Sequence, residues 1–145
     1  MQARNELKKA LIGAGFEVYR TFPNRIVLAD RVRDNLIMDS GVSAGFEPTL
    51  TARFVVRAMR SDFLGEDDGA LFNRARQLAG MATARGYSEA AAEVVPVPDP
   101  GDKTQTLDTW FEVAYERPVT SLEELFAELR QAMAMEKVAT PPRAG

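Results

Sequence analysis

Two stretches of the sequence alternate a mainly apolar with a mainly polar set of residues over a long run, and they limit the fold more than any other feature. From Thr49 to Arg60, Leu50, Ala52, Phe54, Val56 and Ala58 take one side while Thr51, Arg53, Val55 and Arg57 take the other. From Leu107 to Arg117, Leu107, Thr109, Phe111, Val113 and Tyr115 alternate with Asp108, Trp110, Glu112, Ala114 and Glu116. Such a period puts successive side chains on opposite faces of a strand. The polar sides carry opposite charges at matching spacing, arginines on the first and carboxylates on the second. As sheet neighbours they would gain roughly 0.2–1 kcal/mol per opposed pair and hold the register. One apolar and one polar face is the ordinary condition of an antiparallel sheet.

Helices flank these strands. Leu7, Ala10, Leu11 and Ala14 recur at helical spacing, and Gly15 follows as the residue suited to a left-handed helix end. Phe16 to Phe22 alternates, Pro23-Asn24 turns the chain, and Arg25 to Ala29 returns, predicting a hairpin. The segment Asp30 to Asp39 fits two templates: Leu28, Val32 and Leu36 keep a helical period, while Leu36-Ile37-Met38 suits a short strand. Ser40-Gly41 and Ala44-Gly45 read as punctuation after it. Leu71, Phe72, Ala75, Leu78, Ala79 and Ala82 form an amphipathic stripe that predicts a helix from about Asp68 to Arg85, stopped by Gly86. Ala92 to Val97 reads as an edge strand because of Pro96. Pro98 to Lys103 is turn chemistry. Ser121-Leu122-Glu123-Glu124 is a capping box before the stripe Leu122, Leu125, Phe126, Leu129, Ala132 and Met133. The reading is an α+β domain over 1–138, with an antiparallel sheet of about five strands, an N-terminal, a central and a C-terminal helix, and a loosely held tail over 139–145.

Composition narrows the chemistry. A chain of 145 residues is long enough for one domain with its own core, and its apolar residues nowhere approach the ~20 in a row that a membrane-spanning helix needs. The polar N-terminus lacks the apolar region of a secretory signal, so the expected compartment is the cytoplasm. The formal charge of −3 repels phosphate backbones, which argues against nucleic acid as a partner. The absence of cysteine removes thiolate nucleophiles and thiolate metal sites, and the absence of histidine removes the usual base near neutral pH. Any catalysis would rest on Asp, Glu, Lys, Tyr or Ser alone.

Candidate sites are few. Phe63-Leu64-Gly65-Glu66-Asp67-Asp68-Gly69 places three carboxylates in a row before a helical stripe. As a calcium loop it fails, because its ligands do not alternate and no glutamate closes it; a magnesium site on one or two of the carboxylates is the weaker alternative to a helix start. As a helix start it fits: Asp67 and Asp68 are both placed to accept free N–H groups and to favour the helix dipole. Asp34, Asp39 and Asp62 form no constellation, and Gly13-Ala14-Gly15 closes a helix where a phosphate loop must open one. Met133 and Met135 read as core and flank. No nucleotide, haem or metal motif is present, so no cofactor and no metal are expected. Trp110 is the most informative residue, a large aromatic on an otherwise polar strand face. It is either covered by a terminal helix or offered to a partner, and with Arg53, Arg57, Asp108 and Glu112 it defines the candidate partner-binding surface.

The order helix, strands, helix, two strands, helix resembles the type III secretion chaperone-like fold, including class I secretion chaperones and bacterial YbjN-like domains. The resemblance covers nearly the whole chain as an order of elements, and the segment Asp30 to Asp39 departs from its simplest version. It implies protein binding, and homodimerisation is compatible with it. Small phage tail-completion proteins, which act by ring assembly, are similar in beginning with a helix that leads into a sheet. The expected function is a non-enzymatic protein-binding module, chaperone-like or regulatory, with structural assembly second and a carboxylate-only enzyme third. A protein is the expected partner; nucleic acid and membrane are not.

Overall fold

Two compact units make up the computed structural model, which describes residues 2–141: Met1–Phe54 with Glu116–Met135, and Val55–Tyr115 with Glu136–Gly145. The strands β1 (Val18–Thr21), β2 (Arg25–Arg33), β3 (Leu36–Gly45), β4 (Thr51–Met59), β5 (Ser88–Asp99) and β6 (Asp102–Pro118) hydrogen-bond in the order β1-β2-β3-β4-β6-β5, an antiparallel six-stranded α+β arrangement where the sequence predicted about five strands. The additional strand comes from the segment that fitted two templates.

In the first unit, α1 (Gln2–Gly13) ends as its glycine predicts. Gly15 takes φ +97°, its N–H donates to the Ile12 carbonyl at 3.1 Å, and the Phe16 N–H reaches back to Leu11 at 3.0 Å. Both bonds satisfy carbonyls that a helix end leaves open, and only glycine takes that backbone without strain. β1 (Val18–Thr21) pairs with β2 (Arg25–Arg33), which pairs with β3 (Leu36–Gly45). Asp30 to Asp39 is therefore strand on both sides of a tight turn. Ser40-Gly41 and Ala44-Gly45, read as punctuation, lie inside β3; Gly41 takes φ +77° and the β2–β3 register shifts there, which marks a bulge. Ser40 Oγ donates to the Leu28 carbonyl at 2.7 Å across that bulge. α4 (Leu122–Ala134) is capped by Ser121, whose Oγ accepts from the Glu124 N–H at 3.1 Å. It packs against β3, and Leu125 and Leu129 are fully buried with Leu11, Ile26, Leu28, Val42 and Phe54. Leu122, expected in the stripe, is exposed instead, as are Ser121 and Glu123 beside it at the start of α4.

In the second unit, β4 (Thr51–Met59), which starts in the first, alternates without a fault: Val56 and Ala58 are fully buried while Val55 and Arg57 are not. A 3-10 turn (Arg60–Asp62) leads to α2 (Asp68–Leu78) and a four-residue α3 (Gly80–Thr83). The single helix expected over this range is thus broken at Ala79. Its N–H is shared between the Arg76 and Gln77 carbonyls, which tightens the turn, and Gly80, a poor helix former, follows. Gly86, at φ +97°, ends α3 by the same motif as Gly15. β5 (Ser88–Asp99) takes the edge that Pro96 predicted, and β6 (Asp102–Pro118) runs back beside it. Phe111, Val113 and Tyr115 are buried, with Phe111 meeting the Phe72 ring edge-on at 5.2 Å. Leu107, assigned to that face, is exposed: β6 begins well before it, and residues 102–107 all lie open to solvent. At the other end, the expected loose tail starts with a tether. The Arg57 N–H donates to the Lys137 carbonyl at 2.9 Å, the Ala139 N–H returns to the Arg57 carbonyl at 2.8 Å, and Ala139 is buried. Residues 142–145 lie outside the described residues. Among the described residues no helix is long and apolar enough to cross a membrane.

Candidate functional site

Antiparallel neighbours in register bring together residues whose numbers change in opposite directions, and the polar sides of β4 and β6 do this. In the second unit Arg57 lies 2.9 Å from Glu112, and in the 3-10 turn that follows β4 the Ser61 hydroxyl donates to Asp108 at 2.6 Å. In the first unit Arg53 donates to Glu116 at 3.1 Å. The charge pattern legible in the sequence is therefore realised pair by pair. Asp108 is the exception: no arginine meets it, and its partners are the Ser61 hydroxyl and the Ser61 and Thr109 N–H groups.

Trp110 sits two residues from both Asp108 and Glu112, so all three share a face of β6. It is half-buried, and the Arg57 guanidinium carbon lies 4.2 Å from its ring centroid. That is well inside the ~6 Å at which a cation is held by an aromatic face, worth roughly 0.5–1 kcal/mol at exposed sites and more when desolvated. Arg57 is fixed three ways: by Glu112, by the Trp110 ring, and through its backbone by Lys137 and Ala139. A planar guanidinium held by a carboxylate and a ring has lost most of its rotamer freedom before any partner arrives.

The Asp108 carboxyl feels two opposed influences. Burial raises its pKa, and the hydrogen bonds from the Ser61 hydroxyl, the Thr109 N–H and the Ser61 N–H together outweigh it, leaving the group below its ordinary value. It is an anion held in place at neutral pH, with its lone pairs directed to donors of the protein.

The acidic run before α2 divides in the same manner. Asp67 is the N-cap, its Oδ1 accepting from the Ala70 N–H at 2.8 Å. Asp68 pairs with Arg60. Glu66 takes both Nε and Nη2 of Arg74, at 2.7 and 2.6 Å, and that pairing lowers its pKa against the effect of burial. Three neighbouring carboxylates thus point to three different donors: Asp67 caps the helix as expected, while Asp68, expected to share that role, lies in the first turn with its carboxylate on Arg60.

Sequence reasoning overlooked two charged groups. Glu128 is buried on the inner side of α4, 2.7 Å from Arg117. Its position between Leu125 and Leu129 in the apolar stripe was the available signal. Arg25 was passed over as an ordinary strand residue; its guanidinium lies 5.0 Å from the Phe22 ring. Among the described residues no three acidic side chains stand close enough to hold a metal ion together. No protein-family model, curated protein or solved structure matches the chain.

Proposed function

We propose that this chain is a non-enzymatic protein-binding module, chaperone-like or regulatory, acting in the cytoplasm, and that its partner surface is the face of β6 and β4 bearing Trp110, Arg57, Asp108 and Glu112. The observation that carries this reading is the half-buried Trp110 under the Arg57 guanidinium on a strand face that it shares with Asp108 and Glu112. Tryptophan and arginine are the residue types that most often anchor protein interfaces, and paired charges around them form a rim without an unpaired ion to desolvate. Arg53, fifth of the residues read from the sequence, pairs with Glu116 in the first unit and is not needed by this surface. The carboxylates of this face and of the turn before α2 are engaged by arginines, hydroxyls or N–H groups, an arrangement suited to recognition more than to proton transfer.

Structural assembly is favoured by a separate observation. The far end of the β2–β3 hairpin exposes Val32, Leu36, Ile37 and Met38, an apolar group that self-association would cover. Light scattering separates the readings: a monomer or dimer supports the module, and a ring of about six subunits supports assembly. Affinity capture from the native extract with mass spectrometry then names the partner. A wild-type chain that retains nothing the Trp110→Ala chain loses would overturn the proposed surface.

A further inference from the structure

The polar face of the first unit contains a hollow whose floor is a missing side chain. Directly opposed residues on neighbouring strands share a face, and Arg25 on β2 faces Gly45 on β3, which faces Thr51 on β4. In the adjacent row Ser43 faces Arg53, whose guanidinium meets Glu116. These residues, with Asn24 and Glu47, line an open cleft of about 140 Å³, room for several waters. Gly45 does not take a positive φ, so its backbone does not demand glycine. A Cβ built there meets Thr51 Cβ at 3.5 Å and the Asn24 carbonyl at 3.8 Å, ordinary contacts, and its effect is to occupy the cleft.

Among the described residues four groups around this hollow, the Ser43 hydroxyl, the Arg25 guanidinium, the Glu47 carboxylate and the Asn24 carboxamide, have no hydrogen-bond or ion-pair counterpart. Ser43 is 5% exposed, and its hydroxyl takes no partner among the described residues. Its neighbour Ser40, equally buried, is bonded to Leu28. Among the described residues no sealed side-chain polar atom lacks a partner, so the Ser43 hydroxyl reaches the open space of the cleft. Arg25 is stacked on Phe22 and meets no carboxylate, and Glu47 meets no cation, among the described residues. Arg53 and Glu116 neutralise each other. What remains is one free positive charge, one free negative charge, one hydroxyl and the Asn24 carboxamide around a small polar space. We infer that this cleft binds a small zwitterion of the free α-amino acid class, its carboxylate toward Arg25 and Ser43 and its ammonium toward Glu47. A phosphate fits less well, because both Glu47 and Glu116 line the space it would fill. The assignment is independent of the Trp110 surface, which belongs to the other unit.

Titration of the labelled full chain with alanine, followed by amide NMR, tests it. Saturable shifts are expected at Arg25, Ser43, Gly45 and Glu47. Acetate and methylamine, each carrying one of the two charges, should bind at least about tenfold more weakly. Arg25→Gln and Glu47→Gln should each weaken alanine about tenfold, and Gly45→Ala should abolish binding with the melting curve unchanged. Ser43→Ala, which removes only the hydroxyl, gives a second reading should any charge variant unfold, and it should weaken binding severalfold. The inference is overturned if neither alanine nor serine gives a saturable shift at about 100 mM, far above a millimolar Kd. It is also overturned if acetate or phosphate binds as well as alanine, or if Gly45→Ala binds like the wild type.

Discussion

Single residues in this chain are held by partners of definite chemistry, and two of them give direct tests. Asp67 caps α2 with its carboxylate, so Asp67→Asn should leave the melting temperature nearly unchanged, while Asp67→Ala should lower stability by about 1 kcal/mol. Calorimetry on the two variants checks the difference, and equal losses would show that the negative charge matters more than the cap. Asp108 lies below its ordinary carboxyl value of 3.8. A carboxylate whose folded pKa is depressed contributes stability above the unfolded pKa and loses it as pH falls through the folded value, so its contribution disappears only in the acid range below about 4. Ser61→Ala removes the strongest of the opposing hydrogen bonds and leaves burial acting, so the Asp108 midpoint should rise. Carbon-detected NMR titration of the carboxyl measures this directly, and an unmoved midpoint would mean that Ser61 does not hold the anion.

At the scale of elements, what the sequence disclosed depended on whether an element buries one face. β4 was legible because Ala52, Phe54, Val56 and Ala58 face the core without a break, and α4 because its cap and stripe agree. The segment Asp30 to Asp39 was not legible, since Val32, Leu36, Ile37 and Met38 are all exposed and no buried face imposes a period on them. The bulge at Gly41 further broke the alternation of β3 and made its middle look like a turn. Between α2 and α3 the stripe continued through a break that only backbone preference marks. Two glycines near that break separate the cause. Gly80 has ordinary backbone and open space around it, so Gly80→Ala should stabilise the chain by about 0.5–1 kcal/mol. Gly86 takes φ +97°, so Gly86→Ala should destabilise it by about 1–2 kcal/mol. Urea unfolding of both variants tests the pair, and shifts of the same sign would contradict it.

For the whole molecule, sheet class and the opposite charges on the polar sides of β4 and β6 were readable in advance, because charge along a strand is a one-dimensional pattern; which arginine meets which carboxylate came only with the structure. The stacking of Arg57 on Trp110, the tether through Lys137 and Ala139, and the hollow at Gly45 were not, since each joins residues far apart in the chain or depends on a missing atom. The central claim is that Trp110 serves a partner more than it serves the fold. It is tested by measuring the melting temperature of Trp110→Ala and, on the same preparation, its affinity for the partner captured by the wild type. An interface anchor should lose 2 kcal/mol or more of binding, about thirtyfold in Kd, with the melting curve close to wild type. A loss of about 3–5 kcal/mol in folding stability, with affinity of the remaining folded fraction unchanged, would make Trp110 a core residue and contradict the account.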